Sequence, residues 1–164
     1  MNPTPRPLRL LLSCLALTGA ALAADREGSA QPYAPGDAFA AFSTRDQHDK
    51  PFVYEGGARR IVVSFEMDTG KAANGFLEKQ GADYLARKQT LFIANIHGMP
   101  GIARTFAMPK MRRYPHRIIL ADAEHFLDRY PSKDNHLTVI SLDEKSVVTS
   151  VGFVPKKDAA KAFE

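Results

Sequence analysis

Short apolar blocks alternate with polar segments along most of the chain, and two of these blocks are nearly continuous. Residues 61–65 (Ile-Val-Val-Ser-Phe) and 90–96 (Thr-Leu-Phe-Ile-Ala-Asn-Ile) are rich in β-branched and aromatic side chains, which is typical of strands covered on both faces. Between them, apolar residues recur every three to four positions over residues 72–80. This spacing predicts an amphipathic helix, and Asp68 or Thr69 is suited to cap its start.

The rest of the pattern predicts a hairpin before this unit and further alternating elements after it. β-prone runs at 39–45 and 52–55 flank turn formers at 46–51, as expected for a hairpin. After residue 96, the pattern predicts a short helix opened by Pro100 and running through Phe106, then a loop over 108–115 and a strand over 117–120. A helical turn over 124–129 and a hairpin of strands 136–142 and 147–154 follow. The last predicted element is a helix that starts at Pro155, with Ala159, Ala162 and Phe163 on its inner face. Together these elements predict an α/β domain.

The first 23 residues differ in kind from the rest. Arg6 and Arg9 precede an apolar run over 10–17, and Ala21-Leu22-Ala23 offers a small-x-small cleavage site, which predicts a secretory signal peptide. A membrane anchor is the alternative, but residues 10–24 give only 15 uncharged positions, fewer than the roughly 20 that a spanning helix needs. A lipoprotein signal ending at Cys14 is disfavoured, because Arg9 leaves almost no apolar stretch ahead of that cysteine.

The predicted organisation is a signal peptide over 1–23, a flexible lead-in over 24–35, which is polar and contains Gly and Pro, and one domain over 36–164. Removal of the signal leaves 141 of the 164 residues, with 20 basic and 18 acidic groups. This balance gives no general argument for binding nucleic acid or an anionic membrane. We therefore expect a periplasmic protein with no membrane span after cleavage and no nucleic-acid partner.

Cleavage also removes the one cysteine of the chain, Cys14. The secreted form would then contain no thiol. A disulfide, a thiolate nucleophile and a Cys-ligated metal would all be excluded.

The order of predicted elements resembles the thioredoxin-like superfamily, with the N-terminal hairpin of its peroxiredoxin-like branch. The residues that carry the resemblance are Pro35-Gly36-Asp37-Ala38-Phe39, the turn formers at 46–51, the strand at 61–65, and Tyr114-Pro115 before the strand at 117–120. The resemblance covers residues 35–164 and implies a three-layer sandwich, with a central mixed sheet flanked by helices. It also implies a cis peptide bond before Pro115.

In that superfamily the redox cysteines lie where the first central strand turns into its helix, because helix N-terminal amides stabilise a thiolate there. The matching positions here are near Gly70 and Ala73, neither of which supports thiol-disulfide or thiol-peroxidase chemistry. The chain is also similar to a small group of exported bacterial proteins with a degenerate thioredoxin fold that lack the redox cysteines. The shared stretches are Met99-Pro100-Gly101 and Pro109-Lys110-Met111-Arg112.

A basic loop before Pro115 carries the candidate binding chemistry. Arginine side chains bind carboxylate or phosphate in a fork, and the open amides at a helix start beside Lys71 suit a small anion. The resemblance implies that this loop lies against the 68–71 turn. A solvated loop paired with nearby carboxylates is the alternative. The predicted ligand- or partner-binding residues are Asp68, Thr69, Gly70, Lys71, Lys110, Arg112, Arg113, Pro115 and His116.

Other chemistries have weaker support. A phosphate loop is disfavoured, because the segment Asp68-Thr69-Gly70-Lys71 lacks the first glycine and the final Ser or Thr of that motif. The chain contains neither the Gly-x-Gly-x-x-Gly motif that binds a flavin dinucleotide nor the Gly-x-Ser-x-Gly motif of hydrolases. Thioether and imidazole groups suit copper, and the candidates are His97, Met99, Met108, Met111 and His116. Methionines near a helix are more often core residues.

The sequence thus favours an exported, redox-inactive thioredoxin-fold protein that acts as a binding or accessory module. Its expected partner is a periplasmic protein or a small anionic ligand, and no cofactor is predicted. A non-thiol enzyme or a His/Met copper-binding protein using the same cleft is the alternative.

Overall fold

A mixed seven-stranded sheet forms the centre of the computed structural model, which describes residues 30–164. The strands are β1 (Phe42–Asp46), β2 (Pro51–Tyr54), β3 (Arg60–Ser64), β4 (Thr90–Asn95), β5 (Ile119–Ala121), β6 (His136–Leu142) and β7 (Val148–Pro155), and the helices are α1 (Met67–Leu77), α2 (Tyr84–Arg87), α3 (Gly101–Met111) and a 3₁₀ helix over Lys156–Ala162. Their order in the sheet is β2-β1-β5-β4-β3-β6-β7, with β3, β4 and β5 parallel and the other neighbours antiparallel. The α/β class and the two central strands are confirmed.

The central strands are buried on both faces. Val62 and Phe92 point to one core cluster, which contains residues of α1, α2 and the 3₁₀ helix. Ile61, Val63 and Ile93 point to a second cluster on the opposite face. Alternate side chains of a strand point to opposite faces, so the continuous apolar runs reflect two cores separated by one sheet.

The second core is covered by aromatic side chains from two irregular segments. Tyr33 stacks on Phe39, Tyr130 packs edge-on against both, and each of the three is buried. The packed domain therefore begins before Gly36, although the sequence placed Tyr33 in a flexible lead-in. The predicted helical turn over 124–129 is a series of turns, because the backbone at His125 adopts a φ of 65°, which interrupts a right-handed helix.

Two helix boundaries also differ from the prediction. Glu66, rather than Asp68 or Thr69, is the N-cap of α1, and Thr69 Oγ1 donates to the Glu66 carbonyl at 2.8 Å. The loop predicted over 108–115 is wrong at its start, because α3 continues through Pro109 to Met111. Met108 packs against the first core and Met111 belongs to it, and this burial offsets the loss of one helical hydrogen bond at proline.

The remaining expectations have mixed outcomes. The chain turns into a 3₁₀ helix after Pro155, with Ala159, Ala162 and Phe163 buried as expected. The short helix α2 was not predicted. Residues 30–164 contain no cis peptide bond, so the cis geometry expected at Pro115 is wrong. The predicted signal peptide and Cys14 lie outside the described residues, and no helix within the described part of the chain is long and apolar enough to cross a membrane.

Gln47 joins the first hairpin to the centre of the sheet. Its side chain is buried; Nε2 donates to the His116 carbonyl at 2.7 Å, and Oε1 accepts from the Ile118 amide at 2.9 Å. The Gln47 carbonyl accepts from Arg112 Nε at 3.1 Å. One residue thus connects the hairpin, the start of β5 and the end of α3.

We expect Gln47→Leu to lower the free energy of unfolding by about 3 kcal/mol, because two buried backbone groups lose their partners. Urea denaturation at 25 °C measures this change. His48→Ala, at the exposed neighbouring position, serves as the control and should shift stability by less than about 0.5 kcal/mol. Equal stability of both variants would contradict the role given to Gln47.

Candidate functional site

An open cleft of about 310 Å³ lies between α1 and α3, at the carboxyl ends of β3 and β4. We call it the α1–α3 cleft. Its lining residues are Ser64, Glu66, Met67, Gly70, Lys71, Asn74, Ala94, Asn95, Ile96, Met99, Ala103, Phe106, Ala107, Lys110, Met111 and Tyr114. Ligands of α/β proteins commonly bind at this end of the strands, and the volume lies at the lower end of the range for small-molecule sites.

The space exists because alanines occupy positions where larger side chains would fill it. Ala94 lies on the central strand β4, and Ala103 and Ala107 lie one turn apart on α3. Met99 and Met111 add flexible thioethers, which adapt to ligands of irregular shape. The interior of the cleft is therefore mainly apolar.

Apolar surface continues from the cleft to the outside of the protein. Phe106 and Met67, both in the lining, are 75% and 54% exposed, and Ile102, one turn before Phe106, is 76% exposed. Scattered exposed apolar residues are ordinary, but a contiguous group beside a cavity indicates a binding surface.

Two lysines bring positive charge to the cleft. Lys71 Nζ lies 3.3 Å from Asp68 Oδ1, and the other oxygen of Asp68 lies 3.7 Å from Lys156 Nζ. Lys110 forms no ion pair with any residue of the described range 30–164. Glu66 also lines the cleft, but its Oε1 already accepts from the Asn135 amide at 3.0 Å. Lys110 is therefore available to a negatively charged group, whereas Lys71 already pairs with Asp68 and the Glu66 carboxylate opposes an anion.

Asn74, in the lining of the cleft, forms a buried polar pair with His116, which lies behind it and outside the lining. His116 is fully buried, stacks on Tyr114 at 5.3 Å between ring centroids, and places Nε2 2.9 Å from Asn74 Oδ1. Burial lowers the pKa of His116 to about 4. The ring is therefore neutral at pH 7, and Nε2–H donates to the Asn74 oxygen because that oxygen only accepts.

The structure divides the predicted binding residues into separate groups. Gly70, Lys71 and Lys110 line the α1–α3 cleft, whereas Thr69 is fully buried at the helix start and Asp68 lies outside the cleft in its ion pairs.

The other members of the predicted site lie away from this cleft. Arg112 turns toward the first hairpin, where Nη2 lies 4.0 Å from Asp49 Oδ2. Arg113 lines no part of the cleft, and Pro115 and His116 line a second groove of about 500 Å³ beside the hairpin. One continuous site over all nine residues is not formed.

The residues considered for copper have different surroundings. His97 is exposed, with Nδ1 3.0 Å from the Asp122 carbonyl, whereas His116 is buried against Asn74. Met99 and Met111 line the cleft, and Met108 packs against the core. Among residues 30–164, no group of three His, Cys, Asp or Glu side chains is arranged to hold a metal ion.

Sequence reasoning missed the polar residues of the cleft, Ser64 and Asn74. Ser64 lies at the end of the strand that the sequence predicts, as expected, but no binding role is predicted for it or for Asn74. A signal was present, because Asn74 lies between Ala73 and Leu77 on the buried part of α1, where a polar side chain needs a partner.

The comparisons with known proteins are informative about the fold. Neither a family model nor a curated protein matches this chain. A structure titled peroxidoxin BcpB from Mycobacterium tuberculosis is similar, with a TM-score of 0.53 and 15% identity over 80% of this chain and 94% of that one. A peroxiredoxin-like protein from Aquifex aeolicus has a TM-score of 0.51 and 11% identity over 82% and 88% of the two chains.

A third solved structure supports the same fold. The thioredoxin domain of a thiol-disulfide oxidoreductase from Bacteroides vulgatus has a TM-score of 0.51 and 13% identity, covering 80% of this chain and 99% of that one. The chain therefore has the thioredoxin fold. Function has to be argued from the site, because one fold serves many activities.

The buried histidine predicts a specific response to acid. The unfolded chain binds a proton on His116 near its ordinary pKa of 6.5, whereas the folded protein does so only near pH 4. Acid therefore favours unfolding between these values, and the contribution of this residue falls by roughly 3 kcal/mol from pH 7 to pH 4. Urea denaturation across this range should show a shallower pH dependence in His116→Gln than in the wild type.

His48→Gln, at an exposed position, is the matched control and should keep the wild-type slope. The carboxylates contribute equally to the pH dependence of stability in the wild type and both variants. Identical slopes for His116→Gln and the wild type would show that folding does not lower the pKa of His116.

Proposed function

We propose that this protein is an exported, thiol-independent binding module with the thioredoxin fold, and that the α1–α3 cleft is its binding site. The ligand combines an apolar body with a negatively charged group. A small molecule of this kind, or a segment of a partner protein, satisfies both requirements.

The observation that carries the proposal is an apolar cleft that opens beside Lys71 and Lys110. The exposed Phe106 and Met67 continue the apolar surface at its mouth. Burial of these side chains by a ligand supplies the free energy of binding, and the two ammonium groups select for negative charge.

The chemistry of thiols supports a non-redox role. Disulfide exchange requires a thiolate, and Cys14 is the one cysteine in the chain. Gly70 lines the cleft near the strand-to-helix turn, and Ala73 beside it is fully buried. If the signal peptide is cleaved, the exported form retains the scaffold of a redox protein without the reactive group.

The fluorescent probe 1-anilinonaphthalene-8-sulfonate tests this proposal, because it joins aromatic rings to an anionic sulfonate. We expect the folded protein to bind the probe and enhance its fluorescence. Ala107→Phe fills the cleft and should weaken binding at least tenfold, whereas Ala123→Phe, at an exposed position outside it, should leave binding unchanged. Near-ultraviolet circular dichroism verifies that each variant is folded.

The same probe tests the contribution of the two lysines to ligand binding. Lys71→Ala combined with Lys110→Ala should weaken binding about fivefold, as expected for two solvent-exposed ion pairs. Lys133→Ala with Lys145→Ala changes the net charge equally at exposed positions away from the cleft. Probe binding that is equal in all these variants, or absent from the wild type, would overturn the proposed site.

Export has its own test. The full chain expressed in a Gram-negative bacterium should appear in the periplasmic fraction with Ala24 as its first residue, because Ala21 and Ala23 occupy the small-residue positions of the cleavage site. Ala23→Arg should block cleavage, and Ala30→Arg, beyond the site, should not. Recovery of the uncleaved wild-type chain from the cytoplasm would contradict export.

A further inference from the structure

The inner end of the α1–α3 cleft contains polar groups that the fold leaves without partners. Ser64 is 2% exposed and Asn74 is 7% exposed, and both line the cleft. Within residues 30–164, Ser64 Oγ and Asn74 Nδ2 form no hydrogen bond. Both atoms are accessible from the cleft, whereas the fully buried side-chain atoms without a partner among residues 30–164 are Arg104 Nε and His116 Nδ1. A ligand in the cleft can therefore supply the partners that Ser64 and Asn74 lack within the protein.

His116 fixes the orientation of the Asn74 side-chain amide. Its Oδ1 accepts from His116 Nε2 at 2.9 Å, so the amide oxygen is directed toward the histidine and the amide nitrogen is left for the cleft. His116 is itself held by stacking on Tyr114 and by the Gln47 contact to its carbonyl. Asn74 therefore offers N–H donors to the cleft.

Because Gly70 has no side chain, the Ser64 hydroxyl is accessible from the cleft. A Cβ atom at position 70 would lie 3.3 Å from Ser64 Oγ, closer than ordinary contact, and would cover the hydroxyl. Gly70 lies inside α1, where glycine is unfavourable relative to alanine by about 1 kcal/mol. The absence of a side chain at this position thus keeps the hydroxyl open.

We propose that Ser64 and Asn74 form a carboxylate-binding subsite, positioned by His116, and that the cleft takes a medium-chain aliphatic carboxylate. The hydroxyl and amide donate to the carboxylate oxygens, Lys71 and Lys110 supply positive charge, and the aliphatic chain lies along Ala103 and Phe106. The Asn74 amide and the Ser64 hydroxyl supply the N–H and O–H donors that an acceptor-only ligand needs. This inference rests on the proposed function and specifies the ligand of the same site.

Isothermal titration with decanoate, decanol and decylamine tests the inference on the delipidated protein. We expect decanoate to bind at least tenfold more tightly than decanol, as charge-assisted hydrogen bonds predict, and decylamine to bind more weakly still. Equal affinity for decanoate and decanol would overturn the carboxylate subsite. If decanoate fails to bind while the naphthalene sulfonate still binds, this inference is wrong and the proposed function stands; failure of both overturns both.

Variants at the inner end of the cleft locate the interaction. Asn74→Asp replaces the donor by a negative acceptor of the same shape and should weaken decanoate binding more than tenfold. Gly70→Ala should weaken it about fivefold by covering Ser64. Gly75→Ala is the matched control, because it lies in the same helix with open space around its Cβ position. Wild-type affinity in Asn74→Asp and Gly70→Ala would overturn the assignment.

His116 acts as a positioning residue, and its test is a change of selectivity. His116→Leu should lower the ratio of decanoate to decanol affinity about tenfold, because Asn74 is then free to rotate. His116→Gln keeps an N–H donor toward Asn74 and should retain most of the ratio. Loss of stability alone, with an unchanged ratio in His116→Leu, would show that His116 has only a structural role.

Discussion

Two-sided burial of β3 and β4 is the constraint on which the structure depends. Alternate side chains such as Val62 and Val63 enter different cores, so both faces of the sheet have to be covered. Helices cover one face, and packed aromatic residues contribute to covering the other. The carboxyl ends of these two strands emerge where α1 and α3 begin, and the cleft forms in the gap between those helices.

The elements that depend on local pattern could be predicted from the sequence. The runs at 61–65 and 90–96 are short, apolar and enriched in β-branched and aromatic residues, which favours buried strands. The terminal hairpin follows from its two runs and turn. Boundaries set by tertiary contacts could not be predicted. The helix predicted through Phe106 continues to Met111, whose burial in the first core extends α3 past Pro109.

The candidate site was predicted in part. Lys71 and Lys110 could be selected because the fold brings the start of α1 near the segment before β5. The direction of Arg112 could not, since it depends on the Gln47 carbonyl about 65 residues away. The basic residues could be identified from the sequence alone. The open volume of the cleft could not, because it results from alanines on separate elements that face one another.

Sulfur in this cleft occurs as thioether, at Met67, Met99 and Met111. Peroxides convert methionine to its sulfoxide, a polar and chiral group that reductases restore. Oxidative conditions would therefore act on the wall of the cleft and reduce its affinity for apolar ligands. The cleft would thus respond to oxidants through the thioethers that shape it.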